Sequence, residues 1–119
     1  MLVLVALAAC SKPAPPAGPP QRDCSEGAIK ILSDLMDCRM APWQKGKITD
    51  AEVRQSFVRI REFAPVMDWN DGPTGWSHIV DDALATGNYG VACNTCHKAH
   101  IKAYRAQPEY RVRPLPPMP

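Results

Sequence analysis

Apolar residues recur at helical spacing in four stretches of this chain, and no segment alternates convincingly as a strand. From about Ser25 to Met40, the residues Ile29, Leu32, Leu35, Met36 and Met40 fall at helical intervals. Ser25 or Asp23 is placed to cap that helix, and Pro42 to stop it. The second stretch opens with Thr49-Asp-Ala-Glu52, the pattern of a capping box. Val53, Phe57, Ile60 and Ala64 then share one face, and Pro65 closes it. A loop from Pro65 to Gly75 is rich in Asp, Asn, Gly and Pro. The third helix begins near Thr74 and carries Trp76, Ile79, Val80, Ala83 and Leu84 at i, i+3, i+4, i+7 and i+8, with Gly87 as its terminator. Asn88 caps a fourth, which runs through Tyr104 to Pro108. Short helices joined by short loops predict an all-α fold, a small up-down-up-down four-helix bundle.

The two ends read differently. Met1 to Cys10 is apolar and uncharged, far short of the roughly 20 residues that span a bilayer. It reads as the h-region of a secretory signal. Leu7-Ala8-Ala9-Cys10 resembles a bacterial lipobox, in which the cysteine becomes the lipidated first residue of the mature protein. A basic n-region is missing, so the true start lies upstream or the signal is degenerate. A buried helix fragment is the competing reading of so short a run. Ser11 to Pro20 favours polyproline II, a semi-rigid spacer of roughly 30 Å. Pro108 to Pro119 is proline-rich again, and is expected to drape over the surface or to wait for a partner. The chain thus divides into a signal and lipobox segment (1–9), a tether (10–22), a helical domain (23–107) and a tail (108–119).

The domain has about 85 residues, near the small end of what folds alone. The whole chain has a net charge of only +2, which gives no reason to expect a nucleic-acid partner. The charge is unevenly spread. Pro65 to Ala92 holds Asp68, Asp71, Asp81 and Asp82 and no Lys or Arg. Cys93 to Pro119 holds Lys98, Lys102, Arg105, Arg111 and Arg113 against the single acid Glu109. Two solvated faces that attract one another explain this more simply than a basic rim steering an acidic redox partner, though both readings stand.

The chemistry concentrates in Cys93-Asn94-Thr95-Cys96-His97. C-x-x-C-H is the attachment signature of a c-type haem. Two thiols must reach two vinyl groups of one porphyrin, and the next residue offers its imidazole to the iron. A thioredoxin-like site would want a βαβ pattern, which is not visible. A zinc site would want a second ligand pair, which Cys24 and Cys38 do not supply. Two structural thiols beside an unrelated histidine is the third competing reading. One covalent haem c held by Cys93, Cys96 and His97 is the reading this motif favours. It would add apolar core to a small domain. Export agrees with it, because c-type maturation in bacteria occurs outside the cytoplasm.

A helical bundle whose last helix carries C-x-x-C-H resembles the class II c-type cytochromes, the cytochrome c′ group. Short monohaem relatives share Trp76, the Gly87-Asn88 turn, Cys93 to His97 and Tyr104-Arg105, and Met36-x-x-x-Met40-Ala-Pro42 on the first helix looks like that subset too. The resemblance spans about Cys24 to Ala106, and only C-x-x-C-H is specific. There is one departure. Many relatives place an aromatic and an arginine three and four residues after the haem histidine, where this chain has His100 and Ile101. Lys102 or Arg105 would have to replace that cation near the propionates.

The resemblance implies a first helix antiparallel to the fourth, so the partner of His97 across the iron should sit midway along the first. Met36 fits that level and Met40, next to Pro42, is second; core packing is the commoner use of both. A thioether opposite histidine raises the potential, as in electron-transfer cytochromes. His78 is the other alternate, since it lies about as far before the Asn88 turn as His97 lies after it, although neighbouring helices pack closely. His100 follows His97 by one turn and cannot reach across to the same iron, so a surface or propionate-contacting role is expected. A vacant sixth site is the remaining case. Cys24 and Cys38 invite a disulfide in an exported protein. One helix over 25–40 would hold them roughly 20 Å apart, so an intrachain bond needs that helix to start late or break. An intermolecular bond and free thiols are equal alternatives.

The expected function is a monohaem c-type cytochrome, not an enzyme, that passes single electrons. It would be exported and lipid-anchored through Cys10 on the periplasmic side of a bacterial membrane. Its partners would be redox proteins or a larger electron-transfer complex. The alternatives are a five-coordinate cytochrome c′-like binder of small gases and a lipoprotein spacer that haem merely stabilises.

Overall fold

The computed structural model describes residues 22–118, so Met1 to Cys10, the tether as far as residue 21 and the lipidation site Cys10 lie outside the described residues. Among the described residues the fold is helical without a strand; one isolated bridge joins Ile31 to Pro114. The first helix, α1, is a succession of Leu32–Leu35, Met36–Met40 and Ala41–Gln44, the middle part wound as a π-helix. Then come α2 (Asp50–Ile60), α3 (Trp76–Thr86), α4 (Tyr89–Ala106) and a single turn, α5 (Pro108–Arg111). None of these helices is long and apolar enough to cross a membrane.

The expected helix from Ser25 to Met40 begins seven residues late, at Leu32. Residues Glu26–Ala28 form a short 3-10 turn, and Ile29 is buried in the core. Neither Ser25 nor Asp23 caps α1. The Asp34 carboxylate does so, accepting from the backbone amides of Lys30 and Ile31, both at 3.1 Å. Burial opposes its charge, but these amides and the Arg22 guanidinium outweigh that and hold the Asp34 carboxyl below its ordinary range. The late start brings Cys24 back over the helix, and Cys24 and Cys38 form a disulfide with Cα atoms 5.3 Å apart. Of the three fates open to these thiols, the intrachain bond is the one adopted.

Pro42 does not stop α1, because the π-helical winding lets the chain pass it. A proline here lacks the N–H that would bond the carbonyl of Cys38. The wider turn shifts the pattern, so Ala41 bonds back to the carbonyl of Met36. The Cys38 carbonyl receives the Arg39 guanidinium at 3.3 Å instead.

The other helices begin and end close to where the pattern places them. Thr49 and Glu52 form the expected capping box, with Thr49 Oγ1 accepting from the Glu52 amide at 3.2 Å and Glu52 Oε2 accepting from the Thr49 amide at 2.7 Å. The carbonyl of Ile60, left free at the end of α2, accepts from the buried Trp76 indole at 2.7 Å. Gly87 ends α3 in the left-handed conformation that favours glycine, at φ 71°. Asn88 stands at the cap position of α4 but its side chain makes no capping bond.

α4 packs on α3, α3 on α2, and α2 on the π-helical part of α1. Trp43 at the end of α1 meets Tyr89 at the start of α4 edge to face, 5.8 Å between ring centroids. Leu32 at the start of α1 lies across a cleft from Tyr104 near the end of α4, so the two helices run in opposite directions.

The proline-rich tail is built into the fold, which draping over the surface does not describe. Leu115 is buried in the core, and its amide donates to the Lys30 carbonyl at 2.9 Å. Buried Arg59 ties the tail's Pro116 carbonyl at 2.8 Å to the Ile29 carbonyl at 3.0 Å. Arg113 donates to the Pro65 carbonyl at 2.7 Å and lies over the Phe63 ring.

Replacing both Cys24 and Cys38 by Ser should lower unfolding stability by about 3 kcal/mol, the value for closing a loop of some 15 residues. Urea unfolding followed by circular dichroism measures it. A loss below about 1 kcal/mol would mean that the ion pairs around Arg22 and Arg39 hold this segment without the bond.

Candidate functional site

The fourth helix places chemistry on a single face. Cys93, Cys96, His97, His100 and Tyr104 follow one another at i, i+3, i+4, i+7 and i+11, which on an α-helix is one side. That side looks across a cleft of about 270 Å³ whose far wall is the start of α1. Leu32, Ser33, Met36 and Asp37 line it from α1; Cys96, His97, His100, Ile101, Tyr104 and Arg105 line it from α4; Trp76 closes one end. Apolar atoms dominate the lining, as in a site for a largely apolar ligand.

The predicted site residues divide between this cleft and its surroundings. Met36, half-buried at the first position of the π-helical stretch, faces the cleft together with Cys96 and exposed His97. Cys93, one turn before Cys96, is buried in the core. Met40 is also buried in the core and is not part of the cleft lining. His78 stands exposed on α3, its Nε2 3.4 Å from the Asp82 carboxylate one turn on, and does not line the cleft. Of the two cations named for the propionates, Arg105 lines the cleft and Lys102 does not.

His100 has no surface role. It is 8 % exposed, stacked on Trp69 at 4.9 Å between ring centroids and tilted against Trp76 at 5.7 Å. Its Nε2 lies 3.0 Å from the Thr74 carbonyl, which can only accept, so that nitrogen carries the proton. Trp69 comes from the 3-10 turn Met67–Asn70 and also contacts Tyr110 edge-on. The turn fits because residue 75 is glycine: a Cβ there would stand 2.3 Å from the Asn70 carbonyl oxygen. The Asn70 side chain in turn accepts from the Ser77 amide in the first turn of α3. This aromatic box was not anticipated. The spacing of His100 from Cys93 was the available signal, since it puts His100 on the same buried face.

Cys93 and Cys96 are both free thiols, unlike the bonded pair Cys24 and Cys38. Burial pushes the Cys93 thiol up, and burial with the neighbouring Cys93 pushes Cys96 up to about 12. Tyr104 is raised as well by burial, and its hydroxyl is buried without a hydrogen-bond partner. Among the described residues no three His, Cys, Asp or Glu side chains gather as they would to hold a metal ion by themselves.

Comparison with protein-family models, with curated proteins and with solved structures finds no match for the chain.

The folded chain favours the neutral Cys96 thiol. That contribution is fully present below the ordinary thiol pKa and is lost as pH rises through about 12. Before any haem is attached, iodoacetamide should therefore alkylate Cys96 at pH 8 at least about tenfold more slowly than a small free thiol, because the thiolate is the nucleophile. The rate should climb about tenfold per pH unit toward pH 12. Peptide mass mapping against pH reads this, and a plateau near pH 9 would contradict it.

Proposed function

We propose that this protein is a monohaem c-type cytochrome that passes single electrons, exported and tethered by a lipid on Cys10 to the periplasmic side of a bacterial membrane. The observation that carries this reading is that Cys96, His97 and Met36 line one cleft, with Cys93 a turn away on the same face of α4. In the proposed arrangement α1 to α4 form the up-down-up-down bundle of the cytochrome c′ type. The antiparallel course of α1 and α4 supports it.

The donor set suits a covalent haem c. Two reduced thiols would take the thioether bonds and His97 would be the proximal ligand. Met36 is the distal candidate on the opposite wall. Haem c, when bound, supplies a one-electron iron couple. The chain's own part is to fix the axial ligands, exclude water with Leu32, Trp76 and Ile101, and bring the Arg105 guanidinium to the cleft, where it suits the propionates. A thioether opposite the imidazole raises the potential relative to weaker or absent sixth ligands.

The sulfur chemistry supports export. The Cys24–Cys38 bond belongs to an oxidising compartment. Cys10 then has a separate use as the lipidation site, with the proline-rich run 11–20 as spacer. An electron carrier of this kind is not an enzyme in its own right. It serves redox partner proteins or sits within a larger complex.

The purified protein should show the spectrum of a low-spin c-type haem that stays with the chain after denaturation. Met36→Ala should turn the ferric iron high-spin and let carbon monoxide bind the ferrous form rapidly. A wild-type ferrous protein that already binds carbon monoxide fast and completely would instead select the gas-binding function, and no haem absorbance at all would reject both. Mass spectrometry of the native protein should find a diacylglyceryl group on an N-terminal Cys10; an intact Met1 would count against the anchor.

A further inference from the structure

The fourth helix has no acidic residue from Tyr89 to Ala106. Lys98, Lys102 and Arg105 stand on it at i, i+4 and i+7, one exposed row along the helix. None of the three is in an ion pair among the described residues. The acids nearby are already engaged. On α3, Asp81 is held by Arg61 and Asp82 faces His78. On the opposite lip of the cleft, Asp37 is held by Arg22. The positive charge of the row is therefore not cancelled locally.

The row also has a place. Lys98 directly follows His97, Lys102 directly follows Ile101, and His97, Ile101 and Arg105 all line the cleft. The row is one lip of the opening that holds the haem-ligand candidates. A merely solvated face would not need its cations unpaired and gathered beside that opening. Elsewhere the arginines Arg22, Arg39, Arg59 and Arg61 are each paired with carboxylates.

We propose that Lys98, Lys102 and Arg105 form the docking face for an acidic protein partner that exchanges electrons with the cleft. The proposal rests on the haem reading above. A charged rim acts mainly on association: it steers an oppositely charged partner and raises the encounter rate about tenfold or more, an advantage that salt removes. Three cations fall short of the four to eight that typically hold a segment on an anionic membrane, which favours a protein surface over a bilayer.

The test uses the haem-loaded full chain and two small oxidants of opposite charge. One electron passes from the ferrous haem to ferricyanide, giving ferrocyanide, or to tris(phenanthroline)cobalt(III), giving the cobalt(II) complex. Stopped-flow spectroscopy follows both. At low salt Lys98→Gln with Lys102→Gln should slow ferricyanide by about tenfold and leave the cobalt complex unchanged or faster. The difference should collapse near 1 M salt, where the screening length is only about 3 Å. Lys45→Gln with Lys47→Gln removes the same charge elsewhere and should change ferricyanide by less than about twofold. Equal effects of the two pairs would show that only net charge matters and would overturn the docking face.

In a Cys10→Ser chain, polyglutamate, standing for an acidic partner surface, should slow ferricyanide through the same two lysines. Phosphatidylglycerol vesicles that bind through Lys98 and Lys102 would assign the row to a membrane and overturn the protein partner. A protein with a normal haem spectrum and no charge dependence refutes the docking face alone, whereas a protein without haem removes both readings.

Discussion

The bond between Cys24 and Cys38 sets the shape of the first third of the described chain. Two cysteines at the ends of a continuous helix of that length would stand roughly 20 Å apart, yet these Cα atoms are 5.3 Å apart. The chain must therefore double back before α1 can begin. The turn Glu26–Ala28 and the extended residues around Ile29 accomplish this, and Ile29 fills the core as they do. The returning segment is further held by Arg22 on Asp34 and Asp37 and by Glu26 on Arg39. These pairs are largely exposed and individually weak, so the covalent bond is the dominant constraint. Its inner end, Cys38, lies within the π-helical stretch that begins with Met36. The same constraint thus anchors the wall of the cleft that carries the distal candidate.

The opposite wall obtains its order from packing. His100 is buried by Trp69 and Trp76, and Trp76 is itself fixed by the Ile60 carbonyl at the end of α2. A buried imidazole without a partner would be costly, and the Thr74 carbonyl removes that cost. Trp69 reaches the box because Gly75 admits the Asn70 backbone. The face of α4 that carries Cys96 and His97 is consequently held by three separate parts of the chain. Rigid support of this kind is what a ligand set requires, since metal ligands are oriented by their outer contacts.

Much of this was legible in the residues themselves. The apolar spacing located α2, α3 and α4, the Thr49–Glu52 box marked the start of α2 and Gly87 the end of α3. The grouping of Met36 with His97 was also within reach. What could not be read were features that depend on distant partners. Ile29 looked like a helix position because its spacing from Leu32 is helical, but the disulfide overrode the local preference. Pro42 reads as a stop by its missing N–H, and only the Arg39 guanidinium and the π-helical winding show how the carbonyl of Cys38 manages without it. The tail looked solvated because prolines dominate it. Leu115 and the clasp of Arg59 on Pro116 make it core, and a contact 57 residues apart leaves no periodic trace.

The distribution of clamps also bears on where the molecule is open. The side of the domain under the tail is closed by Arg59, Arg113 and Leu115. The ends of α1 and α4 that meet through Trp43 and Tyr89 are closed by aromatic packing, reinforced by Phe57 stacked on Tyr89 at 5.1 Å. Beyond that contact the two helices face each other across the cleft, and no ion pair spans it. An apolar seam left to water loses the burial that stabilises helix pairs, about 25 cal/mol for each Å² exposed. In so small a domain that loss is a large share of the total. A haem bonded to α4 and ligated from α1 would restore the lost burial along the same seam, so on the proposed reading the cofactor is as much a part of the core as of the chemistry.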